Sequence, residues 1–123
     1  MSRNFIVKKC KKCGEVIKIF GEKNLDLECC GEKMFTLIPN SVDAAIEKHV
    51  PTYEVQEDKV LVKVNHVMED EHYIDWVAMV SDEKECIKYF KPGEIAETHF
   101  KYIPGSVLYA YCNKHGLWKK EVE

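Results

Sequence analysis

Five side chains spread over residues 49–115 have the chemistry of ligands to one metal ion. They are four histidines and one cysteine: His49, His66, His72, Cys112 and His115. Imidazole and thiolate groups are the ligands that hold redox-active first-row metals in proteins. Five such ligands leave one position of an octahedron vacant for a substrate, so the set predicts a catalytic metal site and not a purely structural one.

The neighbours of these residues favour the metal-site interpretation. A lone histidine is usually a packing or surface residue, but here a carboxylate and a cation, Glu47 and Lys48, directly precede His49. Cys112 and His115 stand three residues apart in a turn that ends in glycine, so both can bind one ion. Glu47 and Lys48 are therefore candidate functional residues, although their position alone is equally typical of an exposed charged loop.

Four further cysteines in the first 36 residues predict a second metal site. Cys10 and Cys13 are followed by a glycine, and so are the adjacent residues Cys29 and Cys30. Four thiolates suit tetrahedral zinc or iron, and the cysteine spacing alone favours zinc. Neighbouring side chains on an extended strand point to opposite faces, so we expect the chain to kink between Cys29 and Cys30.

Composition restricts the class of protein. The 123 residues are 46% hydrophobic and 32% charged, which is typical of a soluble globular chain. The formal net charge of −3 argues against nucleic acid or an anionic membrane as the main partner. No apolar run approaches the ~18 residues of a membrane span, and the first residues lack a secretory signal. We therefore expect a cytoplasmic protein, in whose reducing surroundings cysteines more often bind metal than form disulfides.

Two segments are expected, with a boundary at residues 36 and 37. Residues 1–36 fall below the ~40 residues that a hydrophobic core usually needs, so this segment requires a bound metal to stabilise its fold. Residues 16–20 and 25–28 predict two short strands joined around Gly21.

The second segment, residues 37–123, is expected to be a β-sandwich. After a connector at residues 36–41, Ser41 is predicted to cap a helical turn over residues 42–46 that ends before Pro51. Residues 59–64, 73–80 and 106–111 are rich in β-branched and aromatic residues, and turn signals at residues 91–93 and 103–105 separate them. This spacing predicts an antiparallel β-sandwich.

Taken in order, the motifs closely resemble those of the desulfoferrodoxin family, the two-iron class of superoxide reductases. Cys-x-x-Cys-Gly with Cys-Cys-Gly resembles its desulforedoxin-type domain. Glu-Lys-His-Val-Pro, His-Tyr-Ile-Asp-Trp and Cys-Asn-Lys-His-Gly-Leu-Trp resemble its neelaredoxin-type domain. The resemblance covers nearly the whole chain. It implies an all-β protein, with a desulforedoxin-like domain over residues 1–36 and a neelaredoxin-like, immunoglobulin-like sandwich over residues 37–123.

The resemblance also implies the metal ligands and the reaction. One iron would be held by Cys10, Cys13, Cys29 and Cys30. A second would be held equatorially by His49, His66, His72 and His115, with Cys112 as axial thiolate. The implied reaction is one-electron reduction of superoxide to hydrogen peroxide without release of dioxygen, in the service of detoxification. Val67 stands where the family often has proline after the second histidine, so we expect a local backbone change there.

Roles and partners follow from the same resemblance. Lys48 is expected to steer superoxide and stabilise developing negative charge, and Glu47 to become the sixth ligand of ferric iron. The first iron is an electron relay or a structural element, and both remain open. The expected partners are superoxide, a rubredoxin-like electron donor and a second copy of the chain in a homodimer.

Three other functions remain open from the residues alone. They are a zinc-stapled module that binds protein or RNA, a mononuclear iron oxygenase and a non-catalytic electron carrier. The first leaves four histidines and Cys112 unused, and the second leaves the thiolate and the surplus imidazoles unexplained. The third needs no open coordination position. Outside the motifs, His99 is predicted to be a surface or core residue and Cys86 a buried structural thiol. The lysines that flank the first cysteine pair are expected either to form a solvated surface or to soften the charge of the thiolates: Lys8, Lys9, Lys11 and Lys12.

Overall fold

The computed structural model describes residues 3–123, which form two compact units, Arg3–Ile38 and Pro39–Glu123. These are called the N-terminal and the C-terminal unit below. The described residues contain twelve strands, paired antiparallel, and one four-residue helix. The all-β class is therefore confirmed. None of the described residues belongs to a helix with the length and apolar character needed to cross a membrane.

The N-terminal unit contains a three-stranded sheet and a small hairpin. Its strands are β1 (Ile6–Lys9), β2 (Val16–Ile19), β3 (Glu28–Cys29), β4 (Glu32–Lys33) and β5 (Phe35–Thr36). The sheet has the order β2-β1-β5, and β3 pairs with β4. Only Val7, Cys10 and Met34 are buried hydrophobic residues within Arg3–Ile38. Apolar burial of this size cannot by itself sustain a fold, so the unit depends on its cysteines.

One of the two strands predicted here is confirmed, and the other is wrong. Residues 16–20 form β2 as far as Ile19, but of residues 25–28 only Glu28 belongs to a strand. The predicted partnership also fails, because β2 pairs with β1, with Lys8 opposite Ile17. β1 pairs with β2 on one side and with β5 on the other, so other segments occupy both of its edges.

The C-terminal unit consists of two antiparallel sheets. Its elements are α1 (Ile46–His49), β6 (Thr52–Gln56), β7 (Lys59–Lys63), β8 (Ile74–Val80), β9 (Glu85–Tyr89), β10 (Glu97–Lys101), β11 (Val107–Cys112) and β12 (Gly116–Glu121). One sheet has the order β10-β7-β6 and the other the order β12-β11-β8-β9. The strands predicted at residues 59–64, 73–80 and 106–111 correspond to β7, β8 and β11.

The hydrophobic core of the C-terminal unit draws on both sheets. One cluster joins Val60 and Val62 of β7 to Met79 of β8 and Leu108 of β11, all less than 2% exposed. A second cluster contains Ile74, Val77, Phe90 and Ala110, and it includes Cys112, which is 0% exposed. The candidate thiolate ligand is therefore part of the sandwich core.

The helical turn after the connector begins later than predicted. α1 starts at Ile46 with Ala45 as its N-cap, and no side chain caps it, so the prediction of a helix over residues 42–46 capped by Ser41 is wrong. Asn40 explains the shift. Its backbone N–H donates to Leu117 O over 3.0 Å, and its side-chain Oδ1 accepts from the backbone N–H of Lys119 over 2.9 Å. These bonds hold the connector against β12 before the helix can begin.

A β-bulge lies where β8 and β11 approach the histidines. Tyr111 is opposite Trp76, but Cys112 is opposite Ile74, so one extra residue, Asp75, lies in β8. Side chains alternate between the faces of a strand, and a bulge shifts that alternation by one residue. As a result both Ile74 and Cys112 face the core.

Candidate metal centres

Five ligand side chains from four different places in the C-terminal unit come together. His49 ends α1, His66 follows β7, His72 precedes β8, and Cys112 and His115 lie at the end of β11 and in the turn to β12. One ligating atom from each lies within 4.8 Å of all the others. Residues 66 apart in sequence thus converge on one point, as the motifs predicted.

The four imidazole rings form a closed square. Neighbouring ring centroids are separated by 4.8 Å (His49–His66), 4.6 Å (His66–His72), 5.0 Å (His72–His115) and 4.9 Å (His49–His115). Each ring lies edge-on to the next, with interplanar angles from 71° to 88°. Such a ring of imidazoles points its nitrogens toward a common centre.

Hydrogen bonds fix which nitrogen of two histidines faces that centre. The Nδ1–H of His49 donates to Ala45 O over 2.7 Å, and the Nδ1–H of His66 donates to Val67 O over 2.5 Å. A carbonyl oxygen can only accept, so Nδ1 carries the proton and Nε2 keeps its lone pair in both rings. The backbone at Val67 therefore orients His66 without the proline that the family often has there.

His72 supplies the most direct indication of a missing ligand. Its Nε2 atom is buried and has no hydrogen-bond partner among the described protein atoms. A buried polar atom normally has a partner, because leaving it unpaired costs about 1–3 kcal/mol. The imidazole square around it fits a metal ion as that partner.

The distances within the group suit a metal with nitrogen and sulfur ligands. Nε2 of His49 lies 3.1 Å from Nδ1 of His115. Two nitrogens bound at right angles at about 2.1 Å would be about 3.0 Å apart. The Cys112 sulfur lies 3.4 Å from Nε2 of His66 and 3.9 Å from Nδ1 of His115. It also accepts the backbone N–H of His115 over 3.4 Å.

Burial keeps two of the imidazoles neutral. Burial is the main cause that lowers the pKa of His66 and of His72, and the positive charge of neighbouring histidines lowers both further. Only a neutral imidazole has a lone pair for a metal. The lowered pKa of His66 and of His72 thus favours the neutral form in which these two rings bind a cation.

Two residues outside the ligand set hold it in position. Trp118, 1% exposed, stacks on His49 with centroids 4.8 Å apart, and its Nε1–H donates to His115 O over 3.1 Å. Asn113 accepts the backbone N–H of Tyr73 over 3.0 Å and donates to Glu71 O over 2.9 Å. It thus ties both neighbours of His72 to the turn that carries Cys112. Neither Trp118 nor Asn113 was among the predicted site residues, although the place of Asn113 beside Cys112 was a signal.

The four cysteines of the N-terminal unit form a second group, with one sulfur from each within 4.8 Å of the others. The Cys13 and Cys29 sulfurs are 3.6 Å apart and the Cys29 and Cys30 sulfurs 3.8 Å apart, and none of the four forms a disulfide. Four thiolates around one ion at about 2.3 Å would be separated by about 3.8 Å. The arrangement therefore fits a tetrahedral metal.

The predicted kink between the adjacent cysteines is confirmed. Cys30 has φ 54° and Gly31 has φ 76°, both in the left-handed region. This conformation is strained for a residue with a Cβ atom, and it is seen mostly where the surroundings enforce it. Here it turns the Cys30 side chain to the side of the strand that Cys29 already faces.

The thiols of this group interact strongly with one another. The backbone N–H of Cys13, which donates to the Cys10 sulfur over 3.5 Å, is the main cause that lowers the pKa of Cys10 to about 6. Hydrogen bonding to Cys10 is the main cause that raises the pKa of Cys29 to about 12, and the pKa of Cys30 is also raised. One thiolate forms readily and opposes the ionisation of its neighbours, so a cation is needed to hold all four as thiolates.

The other candidate residues lie outside both groups. Glu47 and Lys48 are exposed residues of α1, directly before the buried His49. His99 is exposed and close to Gln56 Oε1 at 3.3 Å, which agrees with a surface role. Cys86 is half-buried, so the prediction of a buried thiol is wrong for this edge-strand residue. Lys8 also contradicts the expectation of a solvated surface, because it is only 3% exposed.

Comparison with known proteins gives similarity along nearly the whole chain. The family model described as Desulfoferrodoxin matches residues 41–121. A desulfoferrodoxin of Syntrophotalea carbinolica is 38% identical over 125 residues, covering 98% of this chain and 99% of the relative. A desulfoferrodoxin homolog of Archaeoglobus fulgidus is 38% identical over 117 residues, covering 92% and 94%. The crystal structure of the superoxide reductase from Treponema pallidum is similar with a TM-score of 0.75 and 27% identity, covering 97% of this chain and all of that one.

Replacing Asn113 by alanine is expected to weaken metal binding at the imidazole square. The two hydrogen bonds that fix the backbone on either side of His72 are lost, and changes of this kind typically cost about 10- to 100-fold in metal affinity. Competition titration with a chelator measures the affinity. Asn65→Ala, an exposed asparagine directly before His66, is the control and should bind metal as the unchanged protein does. Equal affinity in both variants would contradict the positioning role of Asn113.

Proposed function

Because this chain belongs to the desulfoferrodoxin family, we propose that its five-ligand group is the site at which superoxide is reduced. The chain is a superoxide reductase, an oxidoreductase that acts on superoxide, and it carries two iron ions. The observation that carries the proposal is the square of four imidazoles beside the buried Cys112 thiolate, with Nε2 of His72 left without a partner. Neither an electron carrier nor a zinc-stapled binding module requires such a group.

We assign the iron ligands to the two groups. Ligands of one iron would be His49, His66, His72, Cys112 and His115, and ligands of the other Cys10, Cys13, Cys29 and Cys30. Bound at the first of these groups, ferrous iron supplies the electron that reduces superoxide to hydrogen peroxide. The division of the chain that accompanies this assignment is a desulforedoxin-like domain over residues 1–36 and a reductase domain over residues 37–123.

The protein side chains prepare the site for an anionic substrate. Neutral imidazoles add no negative charge, so a divalent ion there stays cationic despite one thiolate. The Cys112 thiolate donates electron density, which is the part that a thiolate ligand plays in thiolate-ligated haem proteins. Its backbone N–H bond from His115 and its core neighbours hold the sulfur in one place. The apolar core on that side also keeps water from the thiolate.

We propose separate roles for the two charged residues of α1. Lys48 attracts superoxide and stabilises negative charge that develops on oxygen. Glu47 would supply a carboxylate ligand to ferric iron. Both residues are exposed and directly precede His49, so the helix that positions a ligand also carries them.

The four-cysteine group is proposed to be an electron relay that a small rubredoxin-like donor reduces. Cys13 and Cys30 are exposed, so a partner protein can approach within a short electron-transfer distance of these sulfurs. We further propose that the protein works as a homodimer in the cytoplasm, where it removes superoxide.

The reaction itself is tested by its stoichiometry. When superoxide is added to the iron-loaded protein with a reductant present, each superoxide consumed should yield one hydrogen peroxide and no dioxygen. An oxygen electrode and a peroxide assay measure both. Cys112→Ser should abolish the reaction, because it removes the thiolate. Dioxygen release with half the peroxide would indicate dismutation, and the proposed reaction would then be wrong.

Loss of the charge at Lys48 is expected to slow the encounter with superoxide. Lys48→Ala should lower the second-order rate constant roughly two- to fivefold at low ionic strength, and the rate should depend less on salt. Fast kinetics at several salt concentrations provide the measurement. Lys59→Ala is the matched control, because it removes the same charge at the start of β7, seven residues before His66 in the sequence. Identical rates and salt dependence in both variants would rule out steering by Lys48.

The relay is tested by making the four-cysteine group redox-inert. Zinc in place of iron at this group preserves the tetrahedral coordination that stabilises the fold, but zinc cannot be oxidised or reduced there. Turnover with a rubredoxin-like donor should then fall, while a pre-reduced sample should still react with superoxide in a single turnover. A Cys13→Ala variant, which empties the group, should behave in the same way, and Cys86→Ala serves as the thiol control. Full turnover in the zinc form would show that the group is structural.

A further inference from the structure

Lys8 is a buried lysine with an unusual environment. It lies in β1, and 3% of its surface is exposed. Its Nζ donates one hydrogen bond, to Thr36 Oγ1 over 3.1 Å, and the Asn24 amide donates to the same oxygen over 3.2 Å. Within residues 3–123, no carboxylate forms an ion pair with this ammonium group.

A lysine in such a place requires compensation of its charge. Lysine is almost never fully buried unless it is paired, because an ammonium group loses its hydration when it is buried. A neutral hydroxyl such as that of Thr36 offers only a dipole. Lys11 and Lys12, which stand between Cys10 and Cys13, are exposed, and Lys12 pairs with Glu32 over 3.9 Å. Of the four lysines around the first cysteine pair, Lys8 is thus the one that is buried from water.

The four-cysteine group is the source of negative charge beside it. Lys8 lies in β1 two residues before Cys10, which directly follows the strand, and residues two apart on extended backbone lie on the same side about 7 Å apart. Four thiolates outweigh the charge of one iron ion, so the loaded group carries one net negative charge with ferric iron and two with ferrous iron. Opposite charges at this range attract more strongly when one of them is buried, as Lys8 is, than when water surrounds both.

We propose that Lys8 is a built-in counter-charge to the metal in the four-cysteine group and that it raises the reduction potential of that metal. A fixed cation stabilises the ferrous form, with its larger negative charge, more than the ferric form. The proposal deepens the relay function and rests on iron being bound there. It also predicts that metal binding and folding stability are linked through Lys8. The negatively charged metal group compensates the buried charge of Lys8, so metal binding stabilises the fold by more than the metal–sulfur bonds alone.

The test replaces the charge while keeping the volume. Lys8→Gln retains a hydrogen-bonding group for Thr36, and Lys8→Met is an apolar replacement of similar length. In both, the equilibrium constant for one-electron reduction of the group is expected to fall roughly tenfold, which is about 59 mV. A redox titration followed by the visible thiolate–iron bands measures it. Lys8→Arg, which keeps the charge, should retain the original potential.

Lys11→Gln is the matched control, because it removes an exposed charge from the loop between the same cysteines. Its potential should change much less than that of Lys8→Gln. A second readout needs no redox chemistry. The rise in melting temperature on zinc loading of the apo-protein should be smaller in Lys8→Gln than in the unchanged chain.

The outcomes separate this inference from the function on which it rests. Iron-loaded Lys8→Gln and Lys8→Met with unchanged potentials would overturn the role of Lys8 and leave the relay intact. An equal shift in Lys11→Gln would overturn the claim that burial makes Lys8 effective. If the unchanged protein bound no metal at the four cysteines, the relay and the counter-charge would both be wrong.

Discussion

The C-terminal unit is governed by one constraint: a sulfur that must carry negative charge lies inside an apolar core. Cys112 is 0% exposed and shares a cluster with Ile74, Val77 and Ala110. A buried anion is tolerated only beside compensating charge and hydrogen bonds. The backbone N–H of His115 supplies one bond, and the imidazole square supplies the place for a cation. The bulge at Asp75, the turn after β11 and the end of α1 all serve to bring these groups to that sulfur.

The two metal groups depend on the fold in opposite ways. The imidazole square is built on a sandwich whose core exists without it, since the core clusters consist of strand residues from both sheets. The four-cysteine group lies in a unit in which Val7, Cys10 and Met34 are the buried hydrophobic residues among Arg3–Ile38. There the metal substitutes for a core, because binding free energy at such a site is also folding free energy. Loss of metal should therefore leave the sandwich folded and loosen the N-terminal unit.

Local chemistry was predictable from sequence, and long-range pairing was not. The nine candidate ligands stand in short motifs that resemble those of a known family, and the kink at Cys30 followed from the alternation of side chains along a strand. The helix start failed because Asn40 bonds to β12, about 80 residues away. The burial of Lys8 also depends on Thr36, a neighbour 28 positions away in sequence. Local sequence patterns predict what neighbouring residues along the chain determine. The helix start and the burial of Lys8 depend instead on partners that are distant in sequence and close only in the folded chain.

Charge explains why the chain separates its two metals. Ferrous iron with four thiolates would be an anion, even beside a single lysine, so it would repel superoxide. Ferrous iron with four imidazoles and one thiolate would be a cation, and burial lowers the pKa of His66 and of His72, which favours their neutral, metal-binding form. Lys114, exposed in the turn between Cys112 and His115, adds to the positive field, as its lowering effect on the pKa of His72 indicates. An anionic substrate such as superoxide is therefore drawn to the site that has imidazoles and not to the thiolate-rich site.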